Sequence, residues 1–473
     1  MSSRRVHPHS PLTPLLLSPL LLALALLGGT SAAQAQQASP AVTATLAGHA
    51  ALPADTTTPA PRDAGAFFAT SGKFANGART RNEKLGSEPS YTTAGGSKPR
   101  ATGGALPVKG QAVQGFSGIV ALDRDHYLVL TDNGFGSKIN SQDALLMVHT
   151  AQVDWKSGKV TLRKTTFLHD PDRKVPFVIQ NEATEKRYLT GADFDVESIQ
   201  KIGNTLWIGD EFGPYLLQTD LNGKVLGVTE TVVDGKPYRS PDHYLNSRLP
   251  SLPADAMPQW EVRRSGGFEP MAQSPDGKTL YPAFEWPLYD AQTKTFEKIN
   301  DRLYTHILEF DVAARRYTGK QWKYAFEESG NVMADFQLLN ATTGLVIERD
   351  DASEGMAPAC AGEERPDCFA RPAKFKRVYK IDLSSTDANG FVRKVAYIDL
   401  LKIANPQRLA KRGPNEEVFS LPHLGPEGLA IVDAHHIVVV NDNNYPGSSG
   451  RQLGKPDDDE LTLLDIQALV DAK

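Results

Sequence analysis

Glu197-Ser198-Ile199, leading to Trp207-Ile208-Gly209-Asp210-Glu211, is the stretch whose reading decides the fold. It reads as a short apolar strand, a tight turn and a second apolar strand, with an acid near the start of the first and acids at the end of the second. In an antiparallel hairpin those two ends lie side by side, so the carboxylates arrive at one edge. The pattern recurs in Glu269-Pro270-Met271 with Tyr281-Pro282-Ala283-Phe284-Glu285, and in Asp335-Phe336-Gln337 with Leu345-Val346-Ile347-Glu348. It recurs again in Glu427-Gly428-Leu429 with Val438-Val439-Val440-Asn441-Asp442. The first copy, Ser117-Gly118-Ile119 with Leu128-Val129-Leu130-Thr131-Asp132, starts on Ser in place of the acid. A spacing of roughly 13 to 16 residues suits two strands of five to seven residues and a short turn.

Further strand-like runs follow the hairpins, among them Leu145 to Val153 with Val160 to Phe167, Tyr304 to Phe310 with Tyr317 to Tyr324, and Val378 to Leu383 with Val392 to Leu400. Four antiparallel strands per unit, repeated along the chain, is the pattern of a propeller blade. The expectation is an all-β protein: a β-propeller with five clear four-stranded blades, starting near Phe116, Val196, Phe268, Ala334 and Pro426. A sixth blade, hidden in the insertions or before Gln114, is the alternative count, and a β-sandwich of repeated hairpins is the alternative fold. The last unit shows three strands, ending at Leu461-Thr462-Leu463-Leu464, so a strand from Val42 to Leu46 is expected to close the ring. A helix is expected only at the end, between Glu460 and Ala472.

Residues 1–35 read as a signal peptide: basic Arg4-Arg5, an apolar run from Leu15 to Leu27 and an Ala33-Gln34-Ala35 cleavage site. The run is too short and interrupted for a membrane span, and Val6-His7-Pro8 fits the twin-arginine route poorly. Export places the protein in the periplasm or outside the cell. Residues 36–110 are rich in Ala, Thr, Pro, Gly and Ser and read as a low-complexity linker plus the ring-closing strand, with the propeller over 111–473. The net charge of −5 becomes −7 once the leader's two arginines are gone, which argues against a nucleic-acid partner. Cys360 and Cys368 are the only cysteines, close together in a loop of an exported chain, and are expected to form a disulfide.

At these residues the chain resembles the phytase-like family described as having esterase-like activity. The resemblance rests on Gly115-Phe116-Ser117-Gly118-Ile119 with Thr131-Asp132-Asn133-Gly134, on Gly209-Asp210-Glu211-Phe212-Gly213-Pro214-Tyr215, and on Gly267-Phe268-Glu269-Pro270-Met271 with Ser274-Pro275-Asp276-Gly277. Ile347-Glu348-Arg349 and Gly425-Pro426-Glu427-Gly428-Leu429 with Asn441-Asp442-Asn443 complete it. It implies a propeller and an exported location. The calcium and phosphate ligands of the true phytases do not map onto this chain residue by residue.

The acids should converge on one mouth of the ring. Clustered carboxylates repel, so they need protons, basic partners or cations, and an all-oxygen set suits calcium. Asp132, Asp210, Glu211, Glu285, Asp335, Glu348 and Asp442 are the candidate metal ligands, and Glu197, Glu269 and Glu427 the candidate catalytic acids. The competing reading makes them struts that bond backbone amides of the next blade. Arg349, Lys138 and His423 are candidate substrate contacts, against plainer roles as an inter-blade ion pair, a solvated lysine and an unengaged histidine. His126, His435 and His436 fall at turns and His149 and His306 within strands. Ser117 has no assignable base, and neither H-E-x-x-H nor G-x-S-x-G occurs. The expectation is therefore a calcium-dependent hydrolase of small phosphate or carboxylic esters, monomeric and without a membrane span. The alternatives are a non-enzymatic propeller that binds a ligand or protein, and a lactonase-like metal-dependent hydrolase.

Overall fold

Apolar side chains in this chain occur as runs rather than as alternating positions, as in Trp207-Ile208 and Leu345-Val346-Ile347, so strands must be covered on both faces. The computed structural model describes residues 39–74, 86–245, 260–290, 292–356 and 358–473; the expected leader lies outside the described residues. Four-stranded antiparallel blades account for those runs. The first blade is Phe116–Ala121, His126–Thr131, Met147–Asp154 and Lys159–Phe167. The second is Val196–Ile202, Thr205–Asp210, Tyr215–Asp220 and Val225–Glu230. Met271–Gln273, Thr279–Pro282, Arg302–Asp311 and Arg316–Ala325 make the third. Asn331–Leu338, Thr343–Asp350, Lys376–Thr386 and Val392–Asp399 make the fourth.

The fifth blade is assembled from both ends of the described chain. Gly425–Ile431, His436–Asp442 and Asp459–Asp465 are consecutive, and the outer strand is Thr45–Leu52, antiparallel to Asp459–Asp465. The N-terminal strand therefore closes the ring, three residues further along than the sequence pattern placed it. Ala41–Val42, just before it, adds in parallel to the edge of the fourth blade. First strands of successive blades touch in cyclic order, one to two, two to three, three to four, four to five and five back to one.

Each neighbouring pair of blades encloses its own apolar cluster, and strand alternation explains how one strand serves two of them. Ile208 and Leu206 pack toward the first blade, while Trp207 packs on Phe268, Met271 and Phe310 of the third. Val346 joins the cluster shared with the third blade, and Leu345 and Ile347 the cluster shared with Leu429, Val439 and Leu464 of the fifth. Phe116, Tyr127 and Val129 meet Ala50, Val438 and Leu461 across the closing seam.

Much of the stretch read from composition as linker is built into the same compact unit, Ser39–Lys473. Beyond the closing strand, Glu88–Thr92 pairs with Arg100–Leu106, and Arg100 reaches Glu354 and Ser449. Its small residues suit close backbone contact: a Cβ at Gly104 would lie 2.4 Å from Pro446. Cys360 and Cys368 form the expected disulfide, Cα atoms 5.1 Å apart, in the loop that follows the second strand of the fourth blade. The terminal helix is confined to Gln467–Asp471 because Asp459–Asp465 is paired on both sides as a strand. Among the described residues no helix is long and apolar enough to cross a membrane.

A buried polar network stitches the seam. Nε2 of His49, on the N-terminal strand, lies 3.0 Å from Glu460 on the last strand, and its Nδ1 accepts the Lys411 amide. The backbone donor fixes the tautomer, leaving Nε2–H to donate to Glu460. Arg451 also bonds Glu460, and His423 sits between Asp457, 3.3 Å from Nδ1, and Glu460, 3.4 Å from Nε2. These are ion-pair contacts whose angles fall short of hydrogen bonds. Burial pushes the His423 imidazole down, but Glu460 and Asp457 overcome it and hold the value up at about 9.

Deleting residues 39–52 leaves the last strand as an unpaired apolar edge, so a chain starting at Pro53 is expected to aggregate and lose its cooperative melt, checked by soluble yield and circular dichroism. The His423 value lies above the 6.5 of a free histidine. Its charge therefore contributes stability that is complete below pH 6.5 and lost as pH rises through about 9. Denaturant melts of the wild type should lose on the order of 1–3 kcal/mol across that window relative to His423→Gln, whose profile should be flatter.

Candidate functional site

Backbone register decides which acids reach the mouth. In blades one, two, four and five the first strand carries a bulge, and the residue left unpaired is Ser117, Glu197, Ala334 or Glu427. In the third blade Glu269 occupies the same place: its amide bonds Gly267 O at 3.1 Å, as the Ser117 amide bonds Gly115 O at 2.8 Å. A bulge re-aims a side chain away from its ladder, and these five positions form one tier of the mouth. A residue at or shortly beyond the end of the second strand forms the other tier. Asp132, Glu211 and Glu285 each return an amide bond to Gly115, Asp195 and Gly267, while Arg349 pairs with Val332 and Asp442 with Gly425. The tiers approach so closely that a Cβ on Gly267 would lie 2.5 Å from the Glu211 backbone.

This register sorts the predicted residues. Glu197, Glu269, Glu427, Asp132, Glu211, Glu285 and Asp442 are brought together. Asp335 and Glu348 are each displaced by one position, so the fourth blade presents Ala334 and Arg349 instead. Asp335 accepts the Leu429 amide of the next blade and the Phe336 amide, both at 2.6 Å, which is the strut role. Glu348 turns into the blade, where Tyr324 Oη, the Glu327 amide and Asn331 Nδ2 at 2.7 Å and Lys394 Nζ at 2.5 Å occupy it. Asp210 caps its own turn, accepting the Asp195 and Gly213 amides at 2.8 Å. Asp132 and Asp442 each spend one oxygen on a loop amide, of Gly134 and Asn444.

Arg349 is the one arginine on the two tiers. Its Nη2 lies 2.6 Å from Glu427 and 3.5 Å from Glu285, and its Nη1 2.9 Å from Asp351. Among the described residues the other acids of the two tiers have no lysine or arginine within ion-pair distance. Glu211 and Glu269 are 4% and 6% exposed, and one carboxylate oxygen of each is buried without a hydrogen bond. Burial first, and neighbouring carboxylates second, hold Glu197, Glu211, Glu269 and Glu285 well above the usual carboxylate range. Glu427 stands at about 8 even with Arg349 beside it.

Three contributors escaped the sequence reading. Asp195 joins Glu197 and Glu211 so that one oxygen from each lies within 4.8 Å of the others; the alternation Asp193-x-Asp195-x-Glu197 was its signal. Asp459 is fully buried without a hydrogen bond on either oxygen, its pKa pushed up by burial and then by the charges of Asp442, Asp458 and Asp132, and the run Asp457 to Glu460 pointed to it. Arg263, stacked 4.0 Å over Trp286 and felt by Glu211, had no signal. Lys138 does reach the mouth region, its Nζ 4.7 Å over the Phe212 ring and coupled to Asp210 and Asp195. His423 turns its nitrogens to Asp457 and Glu460 in the seam network.

Among solved structures, the luciferin-regenerating enzyme aligns over 78% of this chain and 84% of its own at 10% identity and a TM-score of 0.32. Saccharomyces cerevisiae Sqt1 covers 80% and 78% at 11% and 0.27. A proposed 6-phosphogluconolactonase of Bacteroides fragilis NCTC 9343 covers 79% and 92% at 12% and 0.29. No curated protein matches the sequence. The sequence pattern of one family does match, over residues 111–445, which takes in the inner strands of all five blades and both tiers of the mouth. The chain belongs to the phytase-like family described by the esterase-like activity of phytase.

Proposed function

We propose that this protein is an exported, calcium-dependent hydrolase of phosphate or carboxylic esters that acts at the acidic mouth. The observation that carries the reading is the trio Asp195, Glu197 and Glu211: three buried carboxylates with oxygens within 4.8 Å of one another and one Glu211 oxygen left without a partner. At about 4 Å a like-charge pair costs on the order of 4 kcal/mol at an effective dielectric near 20, and no lysine or arginine among the described residues lies within ion-pair distance of these three. All-oxygen donors of this kind fit a hard cation such as calcium. These three residues would hold it, and a bound cation of this type polarises an ester oxygen and lowers the pKa of water.

Glu269 suits the proton transfer. Its carboxyl is buried, held above the usual carboxylate range by burial and by the neighbouring acids, and keeps an oxygen without a hydrogen bond, so it is a group able to give or take a proton at the mouth. Glu427 is fixed by Arg349 and braces that side of the mouth. Asp335, Glu348 and Asp210 serve the scaffold. The disulfide supports an oxidising compartment.

Calcium in excess should raise the melting temperature of the wild type, by the equivalent of about 2.7 kcal/mol at a hundred times its dissociation constant. Glu211→Gln should lose that response and melt higher than wild type in chelator, because a repelling charge is gone. A wild-type melt unmoved by calcium, once elemental analysis has excluded an ion already bound, rejects the metal reading. Glu269→Gln should keep the calcium response while turnover on phosphomonoester, phosphodiester, carboxylic ester and lactone panels falls at least a hundredfold. A calcium response with no turnover on any panel favours a binding propeller instead. By contrast, Glu348→Ala should destabilise by about 3–5 kcal/mol with or without calcium, since it strands the buried Lys394.

A further inference from the structure

Blades two and three share a feature that the others lack. The acid of the second tier is followed by an aromatic residue, Glu211-Phe212 and Glu285-Trp286, where the remaining blades have Asp132-Asn133, Arg349-Asp350 and Asp442-Asn443. Each of those rings carries a cation on its face, Lys138 over Phe212 and Arg263 over Trp286. Stacking on a ring face holds a cation in place without consuming its N–H donors.

Those donors are in fact unspent. Among the described residues neither Lys138 nor Arg263 has a carboxylate within ion-pair distance, and Nη1 of Arg263 is buried without a hydrogen-bond partner. Both lie within electrostatic reach of one corner of the mouth, Lys138 of Asp195 and Arg263 of Glu211, yet neither closes on it. A buried guanidinium nitrogen of Arg263 and a buried Glu211 oxygen are therefore each left unsatisfied although the two groups feel each other's charge. Leaving a buried charged donor unpaired is costly, and a group that carries oxygen acceptors would satisfy it. Arg349 cannot supply this function, because Glu427, Glu285 and Asp351 already occupy it.

We propose that Lys138 and Arg263 form an oxyanion subsite on the blade-two and blade-three side of the mouth, which takes a phosphate or carboxylate group of the ligand through charge-assisted N–H···O bonds. The proposal rests on the reading of the mouth as the ligand site, and it does not depend on turnover. The planar fork of Arg263 matches two oxygens of such a group, and Lys138 supplies a point charge from the neighbouring blade. Two cations against one group favour a phosphate over a carboxylate.

Isothermal titration of the full chain with inorganic phosphate, and separately with acetate, tests it in the presence and absence of calcium. Phosphate should bind the wild type. Arg263→Gln and Lys138→Gln should each weaken it at least tenfold, with Arg263→Lys in between. Arg264→Gln removes the same charge one residue away, from an exposed side chain paired with Asp242, and should change the affinity less than twofold. Melting curves confirm that each variant is folded, and the two Gln variants on different blades guard against loss of one. Acetate binding as tightly as phosphate, with the same dependence on both residues, assigns the subsite to carboxylates. A wild type that binds neither anion, or equal phosphate affinity in the wild type and both Gln variants, overturns the proposal. Absent turnover with phosphate binding that still depends on Arg263 removes the hydrolase and leaves the subsite. Turnover with phosphate binding indifferent to both substitutions does the reverse.

Discussion

Repulsion among buried carboxylates is the constraint to which the rest of this structure answers. A ring of inward-facing strands delivers an acid or its equivalent from every blade to one small mouth, and seven of the ten tier positions are acidic: Asp132, Glu197, Glu211, Glu269, Glu285, Glu427 and Asp442. Such a site is unfavourable in isolation and persists only where the surroundings over-determine it. The five apolar clusters between blades do so, since each strand is gripped on both faces and the mouth cannot relax outward without opening two of them. The seam is the weak point of any ring, and there the chain uses its N-terminal strand, the His49–Glu460 bond and the doubly paired His423 to hold the fifth blade shut.

The fourth blade shows how the charge is partly neutralised. Ala334 and Arg349 stand where the other blades have acids or Ser117, so one blade removes a charge from the first tier and reverses one in the second. Arg349 then reaches both neighbours, Glu285 of the third blade and Glu427 of the fifth. On that side the mouth is internally compensated. On the opposite side Asp195 adds a further acid beside Glu197 and Glu211, and among the described residues no lysine or arginine lies within ion-pair distance of the three.

The repeat, the strand character, the closing N-terminal strand and the disulfide were all legible in the sequence, because each depends on local pattern or on pairing of neighbouring residues. The register was not. A bulge shifts the strand by one residue, and at period two one residue exchanges the faces. The repeat aligns Asp335 with Glu197 and Glu427, but Ala334 is the residue in that place, and Arg349 stands at the mouth where the pattern points to Glu348. Alternation correctly set Glu348 and Arg349 on opposite faces; what pattern alone could not say was which face was which. His423 is a failure of another kind: its partners Asp457 and Glu460 lie more than thirty residues away, brought there only by the closure of the fifth blade. In residues 36–110 composition alone does not show where small residues serve close contact, as at Gly103 and Gly104, where a Cβ would meet Gly454 and Pro446.

The mouth is thus polar in both senses of the word. Its fourth and fifth blades carry a saturated arginine, and its second and third carry an acid trio flanked by two cations that are stacked on aromatic rings and, among the described residues, have no carboxylate within ion-pair distance. Trp286 holds the Arg263 guanidinium on its ring face, 4.0 Å from the centroid, rather than against Glu211, so one nitrogen of the first and one oxygen of the second stay buried without a hydrogen bond. An unmet donor and an unmet acceptor on neighbouring blades cost stability in a ring that had only to hold itself together, and the acid–aromatic pairs Glu211-Phe212 and Glu285-Trp286 that keep them apart occur on blades two and three alone among the five.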